Sequence, residues 1–293
     1  MRYEPALDLD ALTAIDMHVH VEVDADGRFA LPQHLMDASA HHFGAEHRAP
    51  TLESIADLYR SLGMAAVVFT VDAQTQLGHA PVSSAWIAET AAHHNDVLIP
   101  FGSVDPLRGR AAIEQARMLV EQHGARGFKF HPSLQGFDPS DSRFGDLWAA
   151  IAELNVPALF HTGQNGIGAG LRGGGGLRLG YSNPMLLDVV AAEHPDLDVV
   201  FAHPSVPWQD EANSIALHKA NVHLELSGWS PSRFPQTLVE LAGGALQDRV
   251  LFGSDYPLID PTRWLSSFDK LTIPADVRPK ILKHNAVRLL GLA

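Results

Sequence analysis

The chain has 293 residues, 46% of them hydrophobic, which is enough for the core of one α/β barrel, a fold of about 250 residues. Its 21 basic and 34 acidic residues give a formal net charge of −13, which argues against nucleic acid or an anionic membrane as a partner and favours a small-molecule substrate. Because cysteine is absent, disulfides, thiolate ligands and a cysteine nucleophile are excluded, and a bound metal must be held by histidine and carboxylate.

Hydropathy along the chain predicts no membrane span. The first five residues include Arg2 and Glu4 and no long apolar core, and no later stretch reaches the ~18 apolar residues that a span needs. We therefore expect a soluble cytoplasmic protein with one domain over residues 1–293, and we expect it to be a homo-oligomer.

Eight apolar runs are predicted to be strands, and each is followed by a helical pattern. Such regular alternation implies parallel pairing through crossover helices. It predicts a (β/α)8 TIM barrel, with an open doubly wound sheet as the alternative. The predicted strands are 13–17, 65–71, 97–103, 127–131, 156–161, 197–203, 222–227 and 249–255.

Two long segments interrupt this alternation, one after the first strand and one after the fifth. Residues 21–50 show no sustained period, and residues 162–182 contain the glycine run 173–176. Connections of this length are usually functional, so we expect a lid or binding loop in each. The glycine segment is not a phosphate-binding P-loop, because no Gly-Lys-Ser/Thr follows it. Either it is a mobile lid, or Arg172 and Arg178 contact an anionic substrate.

Histidines and one aspartate stand where predicted strands end. In a barrel, the carboxyl ends of the strands converge on one face, where catalytic groups collect. His18 and His20 are two residues apart, so a strand directs both side chains to one face. Histidines in surface-like pairs such as His93-His94 are expected to be solvated. The residues at the strand ends are His18, His20, His131, His161, His203 and Asp255.

These residues predict a mononuclear metal site. We expect His18, His20, His161 and Asp255 to bind a divalent ion, with zinc favoured and manganese, iron or cobalt as alternatives. His203 is then left as a catalytic base, and Asp255 could move a proton as well as bind metal.

Two nearby residues add alternatives. Lys129 lies two residues before His131, so if carboxylated it could bridge two metals, with His203 as a ligand of the second. The competing interpretation of Lys129 is an interior ammonium paired with a carboxylate. Asp16 is expected to be structural or to support the histidine ligands.

Six motifs together resemble the amidohydrolase superfamily, and within it the amidohydrolase-2 group, which includes aminocarboxymuconate-semialdehyde decarboxylase and γ-resorcylate decarboxylase. The resemblance extends from Asp16 to Leu292 and implies the same four ligands with His203 as the catalytic histidine. The motifs are IDMHVH, GFKFHP, ALFHTG, VFAHPS, LFGSDYP and ILKHNAVRLLGL.

The group contains several reaction types, so the resemblance does not determine the reaction. The segments at 166–185, 203–212 and 226–231 are similar to members that hydrolyse aromatic β-ketoacyl-CoA compounds, which implies C–C bond hydrolysis. The alternatives are non-oxidative decarboxylation of an aromatic or muconate-type acid and a catalytically silent barrel that binds a metal or a partner. For substrate binding, the candidates are His131, Arg172, Arg178, Tyr181 and Trp229.

Overall fold

Strands and helices alternate along the computed structural model, which describes residues 1–44 and 48–292. All strand pairs are parallel. The strands found in these residues are β1 Ala14–His20, β2 Met64–Phe69, β3 Leu98–Pro100, β4 Phe128–Phe130, β5 Ala158–His161, β6 Val199–Ala202, β7 Val222–Glu225 and β8 Val250–Leu251.

Helices follow the strands and cover the outside of the sheet. A π-helical turn over Lys280–His284 leads into the last helix. The α-helices are α1 Gln33–Phe43, α2 Leu52–Ser61, α3 Gln74–Leu77, α4 Ser84–Ala91, α5 Arg110–Glu121, α6 Pro132–Gln135, α7 Gly145–Glu153, α8 Pro184–Glu193, α9 Gln209–His218, α10 Gln236–Ala242, α11 Pro261–Phe268 and α12 Asn285–Leu289.

The strands form two sheets, one of three strands in the order β1-β2-β3 and one of five in the order β4-β5-β6-β7-β8. Isolated parallel bridges join the sheets at both seams, Gly102 with Phe128 and Val19 with Tyr256. Backbone hydrogen bonds accompany them, including Met17 N to Phe252 O at 2.9 Å. The predicted TIM barrel is therefore confirmed, and the open doubly wound sheet is excluded.

The register of β1 changes within the strand, and this change directs two histidines into the barrel. Between Asp16 and Val19, β1 advances three residues while β2 advances two. Met17 packs in the interior core with Val67, whereas Val19 packs in the outer core against the helices. A bulge of this kind reverses the inward and outward alternation. We call residues 16–19 the β1 bulge.

Asp16 stabilises the β1 bulge from a fully buried position. Its carboxylate accepts hydrogen bonds from the backbone N–H of His18 at 3.0 Å, the N–H of Ser254 at 2.9 Å and the hydroxyl of Tyr59 at 2.7 Å. Three donors offset the cost of burying a carboxylate. Asp16 therefore has a structural role, since it joins β1 to α2 and to the loop after β8.

The two long loops pack on each other. Leu35 of α1 belongs to a small apolar cluster with Ile167 and Leu177 of the glycine segment. Gly166 lies so close to the ring of Phe43 that an added Cβ would be 2.3 Å from it. The predicted long loops after β1 and β5 are thus present, although residues 45–47 lie outside the described part. The helix α1 was not predicted, because residues 21–50 lack a clear period.

Most other predicted elements are found with altered ends. Thr51 caps α2 and accepts a hydrogen bond from Ser54 N, and Asn183 caps α8 through Met185 N. The eighth strand is only Val250–Leu251, so the later part of the predicted 249–255 strand is loop. Within the described residues, the helices are too short or too polar to cross a membrane.

Tyr59→Phe removes one of the three donors to Asp16 and should destabilise the fold. A hydrogen bond to a charged group contributes about 1.5–3 kcal/mol, so we expect the free energy of unfolding to fall by about 2 kcal/mol. Urea denaturation measures it. Tyr3→Phe is the matched control, because the Tyr3 hydroxyl is buried with no hydrogen-bond partner among the described residues. Equal losses in the two variants would contradict the role of Asp16.

Candidate metal centre

Three predicted ligands meet at the mouth of the barrel. The Nε2 atoms of His18 and His20 are 3.2 Å apart, and Asp255 Oδ1 lies 3.3 Å from the first and 3.2 Å from the second. We call these three residues the donor cluster. The ring of Phe69 lies beneath it, 4.9 Å from the His18 ring and 5.0 Å from the His20 ring.

The tautomer of His18 follows from its partner. His18 Nδ1 lies 2.8 Å from Glu225 Oε2, and both side chains are fully buried. Because a carboxylate accepts, Nδ1 carries the proton and Nε2 keeps its lone pair for the donor cluster. An imidazole ligand held by a carboxylate through its other nitrogen is the usual arrangement in metal sites.

The charges around the donor cluster suit a divalent cation. Asp16, Glu225 and Asp255 are buried carboxylates, and Lys129 is a buried ammonium. With all four groups counted as charged, a divalent ion would bring them to formal neutrality, and nitrogen and oxygen donors match zinc or manganese. The residues present therefore could hold a divalent metal ion.

Lys129 contacts the donor cluster directly. Its Nζ is 3.3 Å from His18 Nε2 and 5.2 Å from the centre of the Phe69 ring. Burial lowers the pKa of Lys129 to about 8, although the charges of Asp255 and Glu225 oppose this. The amine thus lies beside an imidazole and close enough to Asp255 and Glu225 to be affected by their charges, and the interior ammonium paired with a carboxylate stays a prediction. The carboxylated, binuclear alternative stays a prediction.

His161 ends β5 but is not part of the donor cluster. Its Nε2 donates to the carbonyl of Gln164 at 3.1 Å, which leaves Nδ1 as the free nitrogen. Its ring stacks on that of His131 at 3.8 Å and lies 4.8 Å from that of His203. The structure thus places His161, the fourth predicted ligand, beside the site but outside the donor cluster.

His131 has a structural contact that its sequence position did not reveal. Its backbone N–H donates to Gln135 Oε1 at 2.8 Å, and its Nδ1 accepts the N–H of Leu134 at 3.3 Å, which caps the short helix α6. Burial lowers the pKa of His131 well below its ordinary value. Its role toward substrate stays a prediction.

His203 lies beside the donor cluster. Its ring is 4.7 Å from that of His18, and its Nδ1 is 2.8 Å from the hydroxyl of Ser227. Burial lowers the pKa of His203 to about 4, against the opposing charge of Asp255. The imidazole is therefore neutral near pH 7 and has a lone pair with which to accept a proton.

The backbone is strained at two site residues. His203 and Asp255 have φ of 72°, and Asn155, at the end of α7, is the third non-glycine residue with positive φ in the described part of the chain. A left-handed conformation costs roughly 1–3 kcal/mol at such a residue and is common at functional sites. The fold holds both side chains at the mouth despite this cost.

The protonation of Asp255 suits a metal ligand. Burial alone would raise the pKa of Asp255, but the hydrogen bond to His20 and the neighbouring basic groups of His203, His20 and Lys129 outweigh it, so the pKa lies below its ordinary value. The carboxylate is therefore ionised at neutral pH, as a ligand must be.

Glu225 and Ser227 both belong to the site, although the sequence did not single them out. Glu225 accepts the N–H of Ser227 at 2.7 Å and the hydroxyl of Ser227 at 2.7 Å, in addition to His18. Burial raises the pKa of Glu225, while Ser227 and Lys129 oppose this. The available signal was a single carboxylate within the apolar run 222–227, which a strand buried on both faces does not otherwise contain.

The other predicted substrate residues lie in the loops. Arg178 donates to the hydroxyl of Tyr181 at 2.9 Å, and its guanidinium lies 5.7 Å from that ring. Arg172 is exposed in the turn Arg172–Gly176, and Trp229 is half-buried after β7. Within residues 1–44 and 48–292, no hydrogen bond, ion pair or ring contact joins these four to the donor cluster.

The amidohydrolase family matches residues 15–292, nearly the whole chain. The chain belongs to this family. Among curated proteins, Protein fluG of Emericella nidulans is 28% identical over 123 residues, which are 41% of this chain and 13% of that protein. This chain therefore aligns with only a small part of that relative.

Solved structures share the fold of this amidohydrolase. An uncharacterized TIM-barrel protein, Bb4693 from Bordetella bronchiseptica, is 24% identical with a TM-score of 0.77, covering 96% of this chain and 99% of that one. The 2,6-dihydroxybenzoate decarboxylase from Rhizobium is 18% identical with a TM-score of 0.69, covering 96% and 99%. A dihydroxybenzoic acid decarboxylase from Polaromonas, solved with manganese and 2-nitroresorcinol, is 17% identical with a TM-score of 0.68, covering 96% and 97%.

These comparisons confirm the resemblance to the amidohydrolase-2 group, and the protein is an enzyme. The silent-barrel alternative is thereby set aside. The family acts on small molecules, and a divalent metal is bound in a structural neighbour.

Removing a ligand should remove the metal. We expect His20→Ala and Asp255→Ala to lower metal affinity by more than about 100-fold. This exceeds the loss of about 10–100-fold that follows mutation of a residue that only hydrogen-bonds to a ligand. His161→Ala should lower metal affinity to the same extent if His161 Nδ1 is the fourth ligand. Elemental analysis after reconstitution with zinc or manganese measures this, with exposed His93→Ala as control.

His203→Ala should keep one metal ion per chain, because His203 is not a ligand in the mononuclear site. Loss of one of two ions in this variant would instead establish the binuclear alternative with Lys129. Full metal content in His20→Ala would contradict the donor cluster as the site.

Proposed function

We propose that this amidohydrolase is a zinc-dependent hydrolase that cleaves a C–C bond in an aromatic β-keto compound carried on CoA. The observation that carries hydrolysis is the 2.8 Å contact of His203 Nδ1 with the Ser227 hydroxyl, because with the proton on Nδ1 the Nε2 atom keeps a lone pair beside the donor cluster. Hydrolysis begins by taking a proton from water, and a neutral imidazole is suited to this.

The catalytic groups are assigned as follows. His18, His20, His161 and Asp255 would hold the ion, which when bound would act as a Lewis acid toward a carbonyl oxygen and lower the pKa of water. His203 would accept the proton of the attacking water. Asp255 has a second oxygen besides Oδ1, which makes it a candidate to carry a proton to the leaving group.

The reaction adds one water across one C–C bond. Oxygen of water bonds to the β-carbonyl carbon, and the bond between that carbon and the α-carbon breaks with its electron pair passing to the α-carbon. The leaving group is the enolate of the acyl thioester, which takes up the proton removed from water. An aromatic carboxylic acid and a shortened acyl-CoA are formed, with no oxidant or reductant required.

A decarboxylase is the second candidate. It is favoured by the folds of two solved neighbours that are named dihydroxybenzoate decarboxylases. That reaction requires a proton donor toward carbon, so it would need His203 with its proton on Nε2 or a protonated Asp255. The contact of His203 with Ser227 supports the hydrolase instead.

Products separate the two reactions. We expect zinc-loaded enzyme to convert benzoylacetyl-CoA to benzoate and acetyl-CoA in equal amounts, with oxygen-18 from labelled water in the benzoate. His203→Ala should lower kcat by about 10²–10⁴-fold, the usual contribution of a general base. Mass spectrometry measures the products and their oxygen-18 content, and the absorbance of the thioester measures kcat.

Incubation with 2,6-dihydroxybenzoate is the opposing experiment. Release of CO₂ from it, together with no cleavage of benzoylacetyl-CoA, would overturn the hydrolase and establish the decarboxylase. Full activity of His203→Ala would overturn the assignment of the base.

Arg172→Ala and Arg178→Ala test the CoA-linked substrate. If the exposed guanidinium groups bind CoA phosphates, each variant should raise KM for benzoylacetyl-CoA about tenfold, because a charged hydrogen bond of about 1.5 kcal/mol is lost. KM for the N-acetylcysteamine thioester, which lacks the phosphates, should stay the same. Arg110→Ala, an exposed arginine on α5, is the control. Unchanged KM for the CoA substrate would remove the phosphate contact.

A further inference from the structure

A chain of hydrogen bonds connects the His203 imidazole to His18 through β7. His203 Nδ1 is 2.8 Å from Ser227 Oγ, Ser227 Oγ is 2.7 Å from Glu225 Oε2, and the same Oε2 is 2.8 Å from His18 Nδ1. Glu225 and Ser227 are fully buried. One carboxylate oxygen thus serves a metal ligand and, through Ser227, the residue proposed as base.

The direction of each hydrogen bond follows from counting protons. Glu225 receives three donors on two oxygens, namely His18 Nδ1–H, the Ser227 N–H and the Ser227 hydroxyl. The backbone N–H and the hydroxyl of Ser227 both donate to Glu225, so the single hydroxyl proton of Ser227 is used there. Ser227 Oγ then has only lone pairs left for His203, and His203 Nδ1 must be the donor.

Two positions beside this arrangement are glycine, and a side chain at either would collide with it. A Cβ on Gly228, at φ +73°, would lie 2.4 Å from His203 Nδ1. A Cβ on Gly253 would lie 1.8 Å from Glu225 Oε1 and 2.9 Å from His18 Cβ. A side chain at either position would therefore displace His203 or Glu225.

We propose that Ser227 and Glu225 are a positioning pair that fixes His203 with its proton on Nδ1 while Glu225 also orients the metal ligand His18. Neither residue touches the donor atoms that would face substrate, so both act through their neighbours. The inference deepens the proposed function, because it explains how His203 is kept as a base rather than a proton donor.

Nitrogen NMR of the histidine rings measures the tautomer directly. In zinc-loaded protein labelled with ¹⁵N-histidine, we expect His203, assigned by comparison with His203→Ala, to show a protonated Nδ1 and an unprotonated Nε2. Ser227→Ala should lose this single tautomer, and Ser227→Thr, which keeps the hydroxyl, should restore it. Ser84→Ala removes another buried serine hydroxyl and should leave His203 unchanged.

Kinetics and metal content separate the two positioning residues. Ser227→Ala should lower kcat about 10–100-fold with KM and metal content unchanged, and Ser227→Thr should restore kcat. Glu225→Gln replaces one carboxylate oxygen by an NH₂ group, which cannot accept a hydrogen bond from the three donors around it. The variant should therefore lower metal affinity as well as kcat. If threonine is too large for the buried position, Ser227→Cys, a weaker acceptor, should show an intermediate kcat.

The tautomer is independent of which substrate the enzyme accepts, so failure of the hydrolase assay does not affect this test. A protonated Nε2 on His203 in the unaltered protein would overturn the proposal, because Ser227 would then be donating to His203. An unchanged tautomer in Ser227→Ala would overturn it equally.

Discussion

The arrangement of the site depends on the change of register in β1. Ile15 and Met17 face the barrel interior, so a regular strand would turn His18 and His20 outward to the helices. The extra residue between Asp16 and Val19 reverses this alternation and sends both imidazoles into the mouth. The buried carboxylate of Asp16 holds the β1 bulge through the His18 N–H and ties it to Tyr59 and Ser254.

Three buried carboxylates shape the rest of the site, and each has a different role. Asp16 holds backbone, Glu225 orients the His18 ring, and Asp255 supplies a donor atom of its own. Each is buried, and each is surrounded by hydrogen-bond donors or cationic groups that offset the cost of burial. Lys129 supplies one of these positive charges at a position where a bound cation would lie close by.

The loops above the barrel are organised by a separate small core. Leu35 of α1 packs with Ile167 and Leu177, so the segments after β1 and β5 form one cover rather than two free loops. Their arginine and aromatic side chains interact with each other or with solvent, away from the donor cluster. The loop residues proposed to bind substrate therefore lie in a different layer of the molecule from the donor cluster, as expected of a barrel whose loops vary independently of its strands.

The sequence by itself determined a fold of parallel strands joined by crossover helices, because strands that alternate with helical patterns pair in parallel; the bridges between the two sheets decided for the barrel over the open doubly wound sheet. It also determined which residues meet at the mouth, since His18, His20, His203 and Asp255 follow strands whose carboxyl ends converge. It did not reveal the β1 bulge, the helix α1 or the capping contact of His131, because these depend on partners distant in sequence. Only the tertiary structure placed Glu225 against His18 and Ser227 against His203, since a hydrogen bond between side chains 24 or 207 residues apart leaves no periodic pattern in the chain.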